Sequence, residues 1–122
     1  MAKKILILDD DEDILYFCTV IFEELKFEVK SVLHSNNILD QVAHAQPDVI
    51  LIDMRMPGPG GVVSTQQLKA DKRFSSIPVV MFSATNDLQQ VAQKAGADAY
   101  IQKPFDLDEL EELILSLLHL KK

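Results

Sequence analysis

Three acids, a hydroxyl and an ammonium stand at the outgoing ends of apolar runs in this chain. Asp9 and Asp10 follow Ile5-Leu6-Ile7-Leu8, and Asp53 follows Val49-Ile50-Leu51-Ile52. Ser83 follows Ile77-Pro78-Val79-Val80-Met81-Phe82, and Lys103 closes the run Ala99-Tyr100-Ile101-Gln102. Gathered on one rim, three ionised carboxylates repel one another. At about 4 Å and an effective dielectric of about 20, each pair costs about 4 kcal/mol. Protonation of one acid, or a cation among them, relieves this. The donors are all oxygen, which suits Mg²⁺, with Mn²⁺ close behind. Lys103 adds a fixed positive charge. A divalent ion and a lysine both draw charge from a transferring phosphoryl group, and the Ser83 hydroxyl can donate to its oxygens. Carboxylates do form aspartyl phosphates. Asp53 is the candidate phosphoryl acceptor because it stands alone. The adjacent Asp9 and Asp10 suit metal binding.

Each of these residues has a plainer reading. Asp9 or Asp10 could cap a helix, Ser83 could cap another, and Lys103 alone means little. Asp11, Glu12 and Asp13 read as solvated acids of a first helical turn. What argues for chemistry is their joint placement at four strand ends.

The elements that must position them follow from periodicity. Val49 to Asp53 is apolar without alternation, as in a strand covered on both faces. The next residues, Met54-Arg55-Met56-Pro57-Gly58-Pro59-Gly60-Gly61, force an exposed loop. Ile5–Leu8 and Ile77–Phe82 read as further apolar, buried strands, and Ala99–Ile101 as a short strand. Phe27 to Val32 alternates and reads as an edge strand. Between them run five helical patterns. In the first, Ile14, Phe17, Cys18, Ile21 and Leu25 form the inward stripe, with Leu15 and Phe22 beside it. This wide face reads as core in preference to a docking surface. Ser35 to Ala45 carries Ile38, Leu39, Val42 and Ala43 inward. Gly61 to Asp71 has a weak face of Val62 and Leu68. Leu88, Val91, Ala92 and Ala95 form the fourth face, closed by Gly96. Asp106-Leu107-Asp108-Glu109 reads as a capping box before Leu110, Leu113, Ile114, Leu117 and Leu118. Five strands alternating with five helices predict an α/β fold with a parallel sheet covered on both faces. In such sheets ligands bind beyond the carboxyl ends of the strands.

The bulk numbers fit one such domain: 122 residues, 48% hydrophobic, 25% charged. A net charge of −7 argues against nucleic acid or an anionic membrane as direct partner. The single cysteine, Cys18, excludes an internal disulfide and reads as a buried thiol. With no secretory signal and no apolar run near 20 residues, the expected location is the cytoplasm.

At this point the chain resembles a response-regulator receiver domain of two-component signalling, over essentially its whole length, 1–122. The resemblance rests on Asp9-Asp10, on Asp53 in a D-x-x-M-P pattern through Met56-Pro57 with Gly61 beyond, on Ser83-Ala84, and on Tyr100 followed by Lys103-Pro104-Phe105. It implies a flavodoxin-like, doubly wound sheet of order 2-1-3-4-5. It implies that Asp53 accepts a phosphoryl group from a phosphohistidine on a sensor histidine kinase or a histidine phosphotransfer protein. Asp10, Asp53 and the main-chain carbonyl of Arg55 would bind Mg²⁺ directly, and Asp9 largely through water. Lys103 would pair with Asp53 or its phosphoryl group, and the Lys103–Pro104 bond would be cis. Ser83 and Tyr100 would be the switch pair. The face of the fourth helix, fifth strand and fifth helix would meet a downstream target. The Gly-Pro-Gly-Gly run at 58–61 is richer than the family's usual loop. Arg55 and Thr85 fall where the family varies and tunes phosphoryl lifetime.

Other classes fit less well. The chain could be a receiver fragment of a larger regulator or hybrid kinase. A phosphatase of the haloacid dehalogenase type, also working through an aspartyl phosphate, needs an acid two residues past the nucleophile, where this chain has Arg55. A flavodoxin-type cofactor site needs a phosphate cradle after the first strand, where five consecutive acids, Asp9 to Asp13, would repel phosphate. A degenerate receiver is disfavoured by Asp10, Asp53 and Lys103.

Overall fold

The computed structural model describes residues 2–120. Among them, five strands and five helices alternate: β1 (Lys4–Leu8), α1 (Glu12–Glu24), β2 (Glu28–Val32), α2 (Ile38–Ala45), β3 (Val49–Asp53), α3 (Gly60–Ala70), β4 (Val79–Ser83), α4 (Leu88–Ala95), β5 (Ala99–Gln102) and α5 (Leu107–Leu117). The strands pair in parallel in the order β2-β1-β3-β4-β5. This is the expected flavodoxin-like order.

Strand alternation divides the core in two. Ile5, Ile7, Val49, Leu51, Val80, Phe82 and Ile101 face α1 and α5. Leu6, Leu8, Ile50, Ile52 and Val79 face α2 and α3, and Met81 packs with α4. β1, β3 and β4 are buried almost throughout, whereas β2 is an edge strand with its Glu28 and Lys30 exposed.

Several helix faces differ from the sequence expectation. In α1, Leu15, Cys18 and Phe22 are buried, and Ile14, Ile21 and Leu25 only flank them. Phe17 is instead 57% exposed. Two apolar stripes lie side by side on this helix, and the sheet buries Leu15 and Phe22 of the narrower one together with Cys18 of the wider. In α2 the helix starts at Ile38, not Ser35, and Ala43 is exposed while Ala45 packs inward. In α5, Leu115 is buried, a residue outside the expected stripe. Asp106 is the N-cap as expected, but in place of the capping-box bond its carboxylate accepts from the Asp108 N–H, the second residue of the helix and not the third. Gly96 ends α4 in the left-handed region, φ 84°, as expected.

Ser35 has another use. It is fully buried. Its Oγ donates to the Pro57 carbonyl and accepts from the Gly60 N–H, both at 2.9 Å. Its own N–H also donates to the Pro57 carbonyl. One side chain thereby pins the loop after β3 to the loop after β2. Gly58 lies against this staple at φ 95°, and a Cβ there would overlap the Asn36 amide. Of the glycines in 58–61, Gly58 and Gly60 are thus set by their positive φ and Gly61 by the backbone it lies against. Ser35→Ala removes both Oγ bonds and takes from the half-buried Gly60 N–H its partner, while the Pro57 carbonyl keeps the backbone N–H of residue 35. It is expected to cost about 2 kcal/mol, read as a lower urea midpoint at unchanged slope.

Candidate functional site

Strand parity brings the chemistry together. Asp9 continues the alternation of Ile5 and Ile7, Asp53 that of Val49 and Leu51, and Lys103 follows two residues after Ile101. One oxygen from each of Asp9, Asp10 and Asp53 lies within 4.8 Å of the other two. Asp9 is fully buried and Asp53 is 7% exposed, whereas Asp10 faces solvent.

The Lys103 ammonium sits between two of these acids. It donates to Asp9 Oδ2 at 2.8 Å and to Asp53 Oδ2 at 3.4 Å. The other Asp9 oxygen accepts from the Asp11 N–H, and Asp53 Oδ1 accepts from the Arg55 N–H at 3.3 Å. Lys103 is thus held more closely by Asp9 than by Asp53. Burial pushes the Asp9 carboxyl above its ordinary range, only partly opposed by its bond to Lys103. Burial also pulls the Lys103 ammonium down, but its bond to Asp9 and the charges of Asp53 and Asp9 more than reverse this, and the net shift is upward.

The main chain fixes the rim. The Lys103 N–H donates to the Ser83 carbonyl, and the Met54 N–H to the Phe82 carbonyl. The Lys103–Pro104 peptide is cis. Ser83 is buried, and its Oγ accepts from the Thr85 N–H at 3.3 Å. Asp53, Arg55, Ser83, Thr85 and Lys103 line one cavity of about 420 Å³. Tyr100 does not line it. Its side chain, on β5, is 42% exposed. A larger cavity, about 650 Å³, lies between β2 and α2, away from this cluster.

Asp9, Asp10, Asp53, Ser83, Arg55 and Lys103 therefore meet, and Tyr100 stands apart at the surface. Phe82, which the sequence marks only as an apolar strand residue, joins this site. The ammonium of Lys103 lies 4.5 Å from the centre of its ring. Alternation along β4 carried the signal, since Phe82 shares a face with Val80 and pairs in register with Asp53.

The sequence pattern of the response regulator receiver domain matches residues 5–115. The chain belongs to this family, the receivers of two-component signalling. It is 32% identical over 117 residues to the DNA-binding dual master transcriptional regulator RpaA of Synechocystis, covering 94% of this chain and 48% of the relative. It is 29% identical over 121 residues to sporulation initiation phosphotransferase F of Bacillus subtilis, covering 99% of this chain and 98% of the relative. The chain thus spans about half the length of the first and nearly all of the second. The fold matches the receiver domain of sensor histidine kinase PA1611 from Pseudomonas aeruginosa, solved with a magnesium ion in its active site cleft. The TM-score is 0.87 at 22% identity, over 98% of this chain and 99% of that one. Receivers are in general signalling switches rather than enzymes with a separate substrate. Among the described residues, no helix of this receiver is long and apolar enough to cross a membrane.

Proposed function

We propose that this receiver, 1–122, acts as one phosphorylation-controlled switch whose acceptor is Asp53. The observation that carries the reading is the position of Asp53. It ends a buried strand, with two acids within 4.8 Å and an ammonium at 3.4 Å. A carboxylate oxygen of Asp53 attacks the phosphorus of a phosphohistidine on a kinase or phosphotransfer protein. The P–N bond breaks and its electron pair stays on the imidazole. Lys103 balances the charge gathering on the phosphoryl oxygens, and Ser83 turns its hydroxyl toward them. The receiver catalyses only its own phosphorylation and dephosphorylation.

The donor set fits Mg²⁺. Asp10, Asp53 and the Arg55 carbonyl would hold it. Asp9, with both oxygens already engaged by Lys103 and the Asp11 N–H, would act through water. When bound, the ion supplies positive charge to the crowded acids and to phosphoryl oxygens. The magnesium in the Pseudomonas receiver supports this assignment.

The exposed Tyr100 and Leu107 support a target-binding face on α4, β5 and α5. Tyr100 would move inward behind Ser83 once Asp53 is phosphorylated. Relatives of both lengths, with and without further sequence, support a receiver acting alone or within a longer regulator; its expected place is the cytoplasm. The ends of 1–122, residue 1 and residues 121–122, lie outside the described residues.

The test is incubation with acetyl phosphate and Mg²⁺, read by intact mass. The wild type is expected to gain one phosphoryl adduct and Asp53→Asn none. An adduct on both would move the acceptor elsewhere. Arg55, which lines the same cavity, is expected to set the adduct's lifetime. An Arg55→Ala half-life equal to that of the wild type would remove it from that role.

A further inference from the structure

Phe82 is fully buried in β4, on the sheet face that carries Asp9 and Asp53. It pairs in register with Asp53 across β3 and β4. Phe105 packs edge-on against its ring, with centroids 6.1 Å apart. The ring is therefore fixed by strand pairing and by a second aromatic. Its face lies 4.5 Å from the Lys103 ammonium, within the range where a ring quadrupole attracts a cation.

An ammonium has three N–H groups. Here the two carboxylate contacts are unequal, 2.8 Å to Asp9 and 3.4 Å to Asp53. Both depend on the charge and direction of the acid, and phosphorylation alters one of them. The attraction of a ring face is broad and does not depend on the state of Asp53. We propose that Phe82 is a positioning residue for phosphoryl transfer, its ring keeping the Lys103 ammonium between Asp9 and Asp53 while the charge on Asp53 changes. This rests on the functional reading above. An aliphatic side chain would fill the space without a negative face. Lys103 would then follow its shorter bond toward Asp9, away from the reacting oxygen.

Three measurements test this on the full chain. In the wild type, the NMR signals of the Lys103 side-chain protons nearest the ammonium are expected upfield, shielded by the ring beneath them. Phe82→Leu is expected to slow phosphorylation by acetyl phosphate about five- to tenfold, with the Mg²⁺ half-saturation concentration unchanged. A fluorinated phenylalanine at position 82 keeps the ring's outline but depletes its negative face, so it is expected to slow the reaction as well. Unshifted Lys103 signals would overturn the proposal, even if Phe82→Leu fails to fold. So would a fluorinated variant as fast as the wild type, which would leave Phe82 a packing role only. A wild type that takes no phosphoryl group at Asp53 would instead overturn the functional reading, and this role with it.

Discussion

Gly61→Ala is expected to lower stability by about 3 kcal/mol and to misplace the acceptor strand. A Cβ at Gly61 would overlap the Asp53 carbonyl oxygen and lie 2.8 Å from Met54 Cα. Both obstacles are backbone, so no side-chain rotation relieves them. The chain is already tight here, since the Gly61 N–H donates to the Met54 carbonyl at 3.0 Å. The first turn of α3 must therefore retreat from the end of β3, where Asp53 stands. For a domain of this size the loss corresponds to a melting temperature lower by about 10 °C. Gly60→Ala is the instructive comparison. Its Cβ would have room, with the Met54 carbonyl 3.7 Å away, but its φ of 90° strains any L side chain. It is expected to cost less and to spare the β3 backbone. Val63→Ala, at a position 41% exposed on the same helix, is expected to shift stability by no more than about 0.5 kcal/mol. A Gly61→Ala melt close to that of Val63→Ala would show that the close approach of α3 to β3 is not required.

Much of this arrangement was legible in the sequence, for a physical reason. Strands buried on both faces admit few polar residues, so a polar residue at the end of an apolar run marks where the sheet meets water. Asp53 and the Asp9–Asp10 pair follow directly from that. The period of two sets which side of its own strand each residue takes, but only the strand register puts Asp9, Asp53 and Lys103 on the same face of the sheet. Helix rotation was less legible. α1 carries two adjacent apolar stripes, and only the sheet beneath it decides that Leu15 and Phe22 turn in while Phe17 turns out. Ser35 was hidden for a different reason. A serine ahead of an apolar helical pattern has the chemistry of a helix start, and its actual partners, Pro57 and Gly60, lie 22 and 25 residues away. The preference of Lys103 for Asp9 over Asp53 was equally hidden. It depends on distances of a few tenths of an ångström that residue order does not encode.

That preference leads to the second large effect. Lys103→Met leaves Asp9 buried without its ammonium, and at neutral pH, with metal removed by a chelator, it is expected to cost about 3 kcal/mol. The cost should depend on pH with a definite sign. Asp9 already has a folded-state pKa raised by burial, and its bond to Lys103 is what opposes the rise. Without Lys103, burial and the charge of Asp53 act with less opposition, and the pKa climbs further. A carboxyl with a raised folded pKa favours the folded state below its unfolded value and loses that advantage as pH rises through the folded value. The variant's deficit is therefore greatest near neutrality and shrinks as pH falls toward the ordinary carboxylate range. For Lys103 in the wild type, the raised pKa gives a contribution present below the ordinary lysine range and lost above it. The two chains should thus converge at both ends, through protonation of Asp9 in acid and loss of the ammonium in base. Urea unfolding of both proteins between about pH 4 and pH 8 reads the acidic arm. A difference that stayed constant across that span would mean that Asp9 does not carry the buried charge, and that the Lys103–Asp9 bond is not what keeps the acidic rim folded.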